Sequence, residues 1–210
     1  MDKFKIVIVD YKMGNTGSIK NAIKFLDYNN VVISSDNKII DTADCLILPG
    51  VGAFPDAMDK LFKLGLIDKL NEFVLIKKKP VLGICLGMQL LFDSSEEKHY
   101  TKGFGWISGK VKYMRPQKNL RVPHIGWNSL HINPNNSFFN FLKDDKDFYF
   151  DHSLHVECDN EFVLSYFQYG VKMVAAVNDK NVMGMQFHPE KSQKNGLLTI
   201  KSFVEWSKNI

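Results

Sequence analysis

A cysteine between two glycines is the residue of this sequence best suited to nucleophilic chemistry. Cys85 follows the apolar segment 81–84 and precedes a helical pattern, with Gly83 and Gly87 two positions to either side. A sharp strand-to-helix turn crowds the backbone around a nucleophile, so small residues belong at these two positions. Such a turn places the sulfur over the carboxyl end of a sheet, and a helix N-terminus favours the thiolate. The pattern therefore predicts that Cys85 is a nucleophile.

A base for this nucleophile is predicted near the C-terminal end of the chain. His188 follows an apolar strand pattern at residues 182–187, and Pro189, which has no N–H, ends that strand. Residues two apart in an extended segment point to the same side, so Glu190 can orient the His188 ring by a hydrogen bond. The other ring nitrogen is then free to exchange a proton with Cys85.

The apolar segments predict an α/β fold around these residues. In the first half of the chain, four such segments alternate with helical patterns, which is typical of a doubly wound parallel sheet. These four predicted strands are residues 5–10, 31–34, 45–48 and 81–84. A further helical pattern runs over residues 57–78 and is expected to break near Gly65.

The second half of the chain predicts an antiparallel extension of the sheet. Its apolar segments are joined by short polar turns, as antiparallel strands often are. The predicted strands are residues 103–114, 148–150, 162–168, 171–177 and 182–187. A closing helix is expected over residues 195–208. Because no repeat or linker interrupts the pattern, we expect one mixed α/β domain over residues 1–210.

Composition and charge exclude several classes of protein. The 210 residues are 45% hydrophobic and 24% charged, which is ordinary for a globular chain that buries a large core. The net charge of +4 is spread along the chain without a stripe of Lys and Arg among aromatic residues, so no nucleic-acid partner is expected. No apolar run approaches the ~20 residues of a membrane span, so no membrane association is expected.

The cysteines and histidines give further expectations. Three widely spaced cysteines, an odd number, favour a reducing cytoplasm. Cys45 lies inside an apolar segment and Cys158 has no glycine turn, so both are expected to be structural. The remaining histidines lack the spacing of metal ligands, and the sequence has no Gly-x-x-x-x-Gly-Lys loop. We therefore expect neither a metal nor a cofactor.

Several blocks of the sequence resemble those of the class I glutamine amidotransferases. Residues 83–89 carry the Gly-x-Cys-x-Gly turn of that family, and further blocks in its order are residues 10–18, 48–54, 122–128 and 188–192. The resemblance covers nearly the whole chain and implies a flavodoxin-like domain that hydrolyses L-glutamine. Cys85 would attack the side-chain amide, release ammonia and form a γ-glutamyl thioester, from which water would free glutamate.

The resemblance also implies roles for the residues around Cys85. His188 would shuttle the proton, and Glu190 would hold His188. The backbone amides of Leu86 and Val51 would bind the oxyanion of the tetrahedral intermediate. The residues implied in glutamine binding are Gly50, Gly52, Gln89, His152 and Ser153.

One block departs from the family pattern. Near the glutamine pocket the family usually reads Tyr-Phe-Val-His-Ser-Tyr, whereas this chain has Asp151 in place of the valine and Leu154 in place of the final tyrosine. The departure leaves glutaminase chemistry in place. It keeps open a paralogous glutaminase that supplies ammonia to another acceptor, such as a modified sugar precursor.

A separate acceptor subunit is implied by the same resemblance. The blocks are most similar to family members that form a heterodimer with a (β/α)₈-barrel cyclase and pass ammonia to it. Trp127 lies in a segment near the subunit interface of those members, and a core position is an equally good interpretation. Two other functions stay open: a stand-alone Cys–His amidase, and a non-catalytic partner protein, against which the intact Cys85, His188 and Glu190 argue.

Overall fold

The strands of the computed structural model, which describes residues 4–116, 120–143 and 145–210, lie in three sheets. The strands of the first half are β1 (Ile6–Val9), β2 (Val31–Ser34), β3 (Cys45–Leu48), β4 (Val81–Ile84), β5 (Ser94–Ser95) and β6 (Thr101–Lys102). Those of the second half are β7 (Lys110–Tyr113), β8 (His124–Ser129), β9 (His131–Ile132), β10 (Asp147–His152), β11 (Leu154–Glu157), β12 (Val163–Tyr169), β13 (Val171–Asp179) and β14 (Val182–Met185).

The helices are spread along the chain between these strands. They are α1 (Thr16–Phe25), α2 (Asn37–Asp41), α3 (Phe54–Lys63), α4 (Leu66–Asn71), α5 (Leu86–Gln89) and α6 (Gln193–Ser207). A π-helical turn follows α4 at Glu72–Ile76, and 3-10 turns lie at Asn160–Phe162 and Pro189–Lys191. Among the described residues, no helix is long and apolar enough to span a bilayer.

The main sheet has eight strands in the order β2–β1–β3–β4–β14–β13–β12–β9. From β2 to β14 every neighbouring pair is parallel, and from β14 to β9 every pair is antiparallel. Two smaller sheets, β10–β8 and β11–β7–β5–β6, lie beside it. The predicted mixed sheet with an antiparallel extension in the second half of the chain is therefore confirmed.

Alternating side chains of β1 divide the core into two layers. Ile6 and Ile8 belong to one apolar cluster with residues of α1 and α6. Val7 and Val9 belong to a second cluster with residues of α3 and α4. Because helices cover both faces, β1, β3, β4 and β14 are buried along their whole length and carry apolar residues at successive positions. The doubly wound arrangement that these runs predicted is confirmed.

The carboxyl ends of the parallel strands bring distant segments of the chain together. Pro49 follows β3, Cys85 follows β4, and Gln186 begins the segment that leads from β14 to His188. Both β3 and β14 pair with β4, so these three strand ends lie side by side. Ligands of open α/β sheets usually bind at this edge.

Several predicted elements have different bounds in the structure. The helix predicted over residues 57–78 is divided into α3, α4 and the π-helical turn, and it breaks as predicted at Gly65, whose φ is 64°. The strand predicted over residues 103–114 is confined to β7, because residues 103–107 hydrogen-bond to the segment that follows α5. The five-residue α2 was not predicted, because so short a segment shows little helical periodicity.

β8 is a strand that the sequence analysis did not predict. Its His124 is buried, whereas Ile125 and Trp127 point outward and are 59% and 48% exposed. Because its large apolar side chains face away from the core, the alternation of this strand gives no sign of burial. Trp127 is accordingly a surface residue, which excludes the core position, and its place near a subunit interface stays a prediction.

Candidate active site

Cys85 lies on a strained turn between β4 and α5. Its φ of 54° and ψ of −111° fall in a region that residues with a Cβ rarely adopt. A Cβ added to Gly83 would lie 2.5 Å from Gly87 O, and a Cβ added to Gly87 would lie 1.8 Å from Leu48 O. Close backbone packing therefore requires both glycines, as predicted for a turn that presents a nucleophile.

His188 and Glu190 form the predicted pair at the end of β14. His188 Nδ1 lies 2.8 Å from Glu190 Oε1, and both side chains are buried. The two side chains meet for a different reason from the predicted one, because Pro189–Lys191 form a 3-10 turn instead of continuing the extended strand. This turn brings the carboxylate back toward the ring. The His188 backbone N–H donates to Tyr149 O at 2.9 Å, which ties the turn to β10.

The neighbours of His188 favour its protonated form. Burial alone would lower the pKa of the imidazole, but hydrogen bonds with the Cys85 sulfur and the Glu190 carboxylate outweigh that effect and raise it above its ordinary value. A protonated imidazole beside the sulfur in turn stabilises the thiolate, which is the reactive form of cysteine. The structure thus joins the predicted nucleophile, base and orienting carboxylate in one chain of contacts.

A cavity of about 220 Å³ opens beside the Cys85 sulfur. Its lining residues are Val51, Gly52, Cys85, Leu86, Gln89, Glu97, Pro123, Asp151, His152, Ser153 and Leu154. Pockets for drug-sized ligands typically measure roughly 300–1,000 Å³, so this cavity suits a smaller molecule. Of the residues that the resemblance assigns to glutamine binding or to the oxyanion, all except Gly50 line it.

The loop after β3 packs directly on the Cys85 turn. A Cβ on Gly50 would lie 2.7 Å from both Gly87 N and Leu86 Cβ, so close approach rather than a positive φ requires glycine here. The buried Tyr11 hydroxyl donates to Pro49 O at 2.5 Å. Burial raises the pKa of this phenol, which keeps it protonated and able to donate. The loop and the turn are thereby held together on one edge of the cavity.

Two of the expected binding side chains are largely engaged within the protein. Gln89 Nε2 donates to Leu154 O at 3.3 Å and to Gln186 Oε1 at 3.0 Å, which leaves the Gln89 oxygen for a ligand. His152 contacts Leu154 O through Nδ1 at 2.7 Å and His124 Nδ1 through Nε2 at 3.3 Å. Burial lowers the pKa of His152 to about 3, so the ring is neutral. A ligand would therefore meet the backbone of His152 rather than its ring.

Two acidic residues of the cavity were not assigned to binding from the sequence. Glu97 Oε2 accepts a hydrogen bond from Phe54 N, in the first turn of α3, at 2.6 Å, which fixes the carboxylate. The Asp151 carbonyl oxygen lies 3.6 Å from the Cys85 sulfur. A carboxylate in the cavity suits a cationic group of a ligand. No local motif marks Glu97, because its place depends on a contact between segments far apart in the chain.

Family comparison agrees with the class that this geometry defines. The family model described as "Glutamine amidotransferase class-I" matches residues 7–205, and the chain belongs to the class I glutamine amidotransferases. A Vibrio vulnificus protein named imidazole glycerol phosphate synthase subunit HisH 2 is 60% identical over 97% of this chain and 95% of its own length. Subunit HisH 1 of Campylobacter jejuni is 43% identical over 95% of this chain and 98% of its own length.

Solved structures share the fold at low sequence identity. A crystal structure of a glutamine amidotransferase has a TM-score of 0.72 and 17% identity, covering 96% of this chain and 98% of its own. PurLQS from Thermotoga maritima has a TM-score of 0.70 and 18% identity, covering 97% and 99%. These likenesses confirm the predicted α/β fold of the family.

Proposed function

We propose that this chain is the glutaminase subunit of an imidazole glycerol phosphate synthase. The observation that carries the proposal is the contact of His188 with Cys85 on one side and with Glu190 on the other, beside a small cavity, in a chain 60% identical to a named subunit of that enzyme. The chain hydrolyses L-glutamine to glutamate and ammonia in the cytoplasm, a compartment that suits its three free cysteines. A cyclase subunit uses the ammonia to make imidazole glycerol phosphate and AICAR from PRFAR in histidine biosynthesis.

The first half of the reaction forms an acyl-enzyme. The Cys85 thiol gives its proton to His188, and the thiolate attacks the carbon of the substrate's side-chain amide, whose C=O electron pair moves to oxygen. The backbone amides of Val51 and Leu86 bind this oxyanion. When the tetrahedral intermediate collapses, His188 gives the proton to nitrogen, ammonia leaves, and a γ-glutamyl thioester remains on Cys85.

Water completes the cycle. Neutral His188 takes a proton from water as the water oxygen attacks the thioester carbon. Collapse of the second tetrahedral intermediate breaks the carbon–sulfur bond and returns the thiolate beside the imidazolium. In both halves the Glu190 carboxylate keeps the ring oriented and stabilises its positive charge.

The polar groups of the cavity fit the two ends of L-glutamine. The side-chain amide is placed at Cys85, where the reaction occurs. The Glu97 carboxylate and the free oxygen of Gln89 accept hydrogen bonds from the α-ammonium group. Ser153, which also lines the cavity, offers its hydroxyl to the α-carboxylate. This assignment follows from charge and position, since these groups are acceptors and donors of the matching kind.

Exposed apolar residues beside the cavity provide a surface for the second subunit, a (β/α)₈-barrel cyclase with which the chain forms a heterodimer. Ile125 and Trp127 on β8 are 59% and 48% exposed, and Val51 is 52% exposed. Because β8 pairs with β10, which carries Asp151 next to the sulfur, a subunit on this surface lies close to the point where ammonia forms. Exposed apolar patches of this kind mark protein interfaces, and a closed passage keeps ammonia from being protonated by bulk water.

Reconstitution with the cognate barrel subunit tests this function. With glutamine and PRFAR, the wild-type pair should form glutamate and imidazole glycerol phosphate together, whereas the Cys85→Ala pair should form the latter only when ammonium is supplied. Absence of glutamate release in the reconstituted wild type would reject the glutaminase function. Release of glutamate without imidazole glycerol phosphate would reject the acceptor and favour a paralogue that serves another one.

A further inference from the structure

Gln186 is a fully buried polar residue to which the mechanism above gives no task. It follows β14, and its backbone N–H donates to Ala175 O at 2.8 Å. Its side chain lies between Gln89 and Cys85, with Oε1 3.0 Å from Gln89 Nε2 and Nε2 3.8 Å from the Cys85 sulfur. We propose that Gln186 is a catalytic residue whose side-chain N–H stabilises the Cys85 thiolate.

The hydrogen-bond network fixes which end of the Gln186 amide faces the sulfur. A backbone carbonyl only accepts hydrogen bonds, so the Gln89 group that lies 3.3 Å from Leu154 O must be its NH₂. The same NH₂ group contacts Gln186, which must therefore present its oxygen at that point. The NH₂ group of Gln186 is left facing Cys85. With the amide reversed, two NH₂ groups would face each other and an oxygen would face the thiolate.

Two buried histidines anchor the other end of this network. His152 Nδ1 donates to the same Leu154 carbonyl oxygen at 2.7 Å, so its Nε2 is the acceptor for His124 Nδ1 at 3.3 Å. Burial lowers the pKa of both rings, which keeps them neutral and holds these donor and acceptor roles. Because Leu154 O holds the Gln89 amide in one orientation, a reversed Gln186 amide would set two NH₂ groups against each other, so the Gln186 N–H is held toward the sulfur.

Gln186 acts selectively on the ionised form of the nucleophile. The Asp151 carbonyl oxygen, 3.6 Å from the sulfur, accepts a hydrogen bond from the thiol but repels the thiolate. The Gln186 N–H has the opposite preference, because it is a donor. Transfer of the thiol proton to His188 therefore moves the hydrogen bonding of the sulfur from Asp151 to Gln186. Cys85 is only 6% exposed, so bulk water offers little substitute for this donor.

The same N–H serves the second half of the reaction, in which the thiolate leaves the thioester. A hydrogen-bond donor held beside the sulfur stabilises the thiolate as a leaving group as well as an attacking nucleophile. This consequence for turnover rests on the glutaminase function proposed above. The effect on the ionisation of Cys85 does not depend on the substrate.

Alkylation by iodoacetamide measures that ionisation without substrate. The full-length chain is treated over a range of pH, and the Cys85 peptide is quantified by mass spectrometry. Gln186→Met keeps the length of the side chain but has no donor, so the pH midpoint of alkylation should rise by about one unit, with about tenfold slower alkylation below the midpoint. Met183→Leu, a buried substitution in β14 away from this network, is the matched control and should keep the wild-type midpoint.

Gln186→Glu provides an independent second variant. It keeps the shape of the side chain and an oxygen that accepts from Gln89, and it turns a carboxyl group toward the sulfur. Its alkylation midpoint should rise at least as far as that of Gln186→Met, because the donor is lost and a negative charge is added beside the sulfur. An unchanged midpoint in this variant would overturn the proposal even if Gln186→Met does not fold. Wild-type midpoints in the folded variants would overturn the proposal.

Turnover with the barrel subunit separates this proposal from the proposed function. In Gln186→Met, kcat/KM for glutamine should fall about tenfold, in parallel with the lost thiolate. The two proposals can fail separately. If the alkylation midpoints differ as expected but the wild-type protein releases no glutamate, the glutaminase function is rejected and the role of Gln186 at the sulfur is supported.

Discussion

At the residue scale, the different tasks that we propose for His188 and Glu190 should be separable by substitution. His188→Asn removes the group that carries the proton, so kcat for glutamate formation should fall by about 10²–10⁴-fold. Glu190→Gln keeps an oxygen that can accept from His188 Nδ1, so kcat should fall by less. Both rates are measured with the barrel subunit present. A larger fall in kcat for Glu190→Gln than for His188→Asn would contradict the assigned roles.

His152 should make the free energy of unfolding depend on pH in the acid range. Burial lowers its pKa in the folded protein to about 3, from an ordinary value of 6.5. Between these values the unfolded chain binds a proton that the folded chain does not. Proton binding at this position therefore leaves the free energy of unfolding unchanged above about pH 6.5. As the pH falls from 6.5 toward 3, it lowers the free energy of unfolding by up to about 1.4 kcal/mol per pH unit.

Denaturant titrations at a series of pH values measure this dependence. His152→Gln has no titrating group at this position, so its unfolding free energy should change less steeply across that range than that of the wild type. His131→Gln, at an exposed position on β9, is the control and should keep the wild-type slope. Equal slopes for wild type and His152→Gln would show that the folded protein accepts the proton at His152 without cost.

The residues that we propose as catalytic could be selected from the sequence because each stands beside a local feature. Glycines at fixed offsets mark Cys85, and the His-Pro-Glu sequence marks His188 and Glu190. Gln186 and Glu97 have no such mark. Their place in the site comes from contacts with Gln89, Cys85 and α3, which only the folded chain brings near.

At the element scale, the contact between the loop after β3 and the Cys85 turn should govern the rate. A Cβ on Gly50 would lie 2.7 Å from Gly87 N, so Gly50→Ala must push the loop off the turn. The Val51 amide would move away from the oxyanion, and loss of one such donor lowers the rate by about 10²–10³-fold. The resemblance implies that the barrel subunit with its acceptor ligand stimulates the glutaminase. In Gly50→Ala the activity should be low both with and without them, so this stimulation should be lost.

Gly17→Ala is the matched control for this loop. A Cβ there would meet only Asn15 Oδ1, at 3.9 Å, which is an ordinary contact. The ratio of stimulated to basal rate in Gly17→Ala should equal that of the wild type. If Gly50→Ala also kept that ratio, the loop would not be the element through which the partner stimulates the reaction.

The elements themselves could be predicted where burial is simple. β1, β3 and β4 are covered on both faces, so each is a continuous apolar run in the sequence. β8 gave no such signal, because Ile125 and Trp127 face outward from a two-stranded sheet. A strand whose large apolar residues face outward cannot be recognised from a pattern that assumes they face the core.

At the scale of the whole molecule, the pairing of β4 with β14 assembles the site from the two halves of the chain. The first half supplies Cys85 and the loop at Gly50, and the second half supplies His188 and Glu190. Neither half carries a complete site. The extent of the domain, residues 1–210, stays a prediction from the sequence.

Trapping the acyl-enzyme is the most direct test of the proposal that Cys85 is the nucleophile of a glutaminase. The chain in complex with its barrel subunit is mixed with isotopically labelled glutamine, quenched in acid during turnover, digested, and read by mass spectrometry. We expect a γ-glutamyl group on Cys85 and none on Cys45 or Cys158, because burial raises the thiol pKa of both. A γ-glutamyl group on Cys158 instead, or glutamate formed by Cys85→Ala at the wild-type rate, would contradict the account.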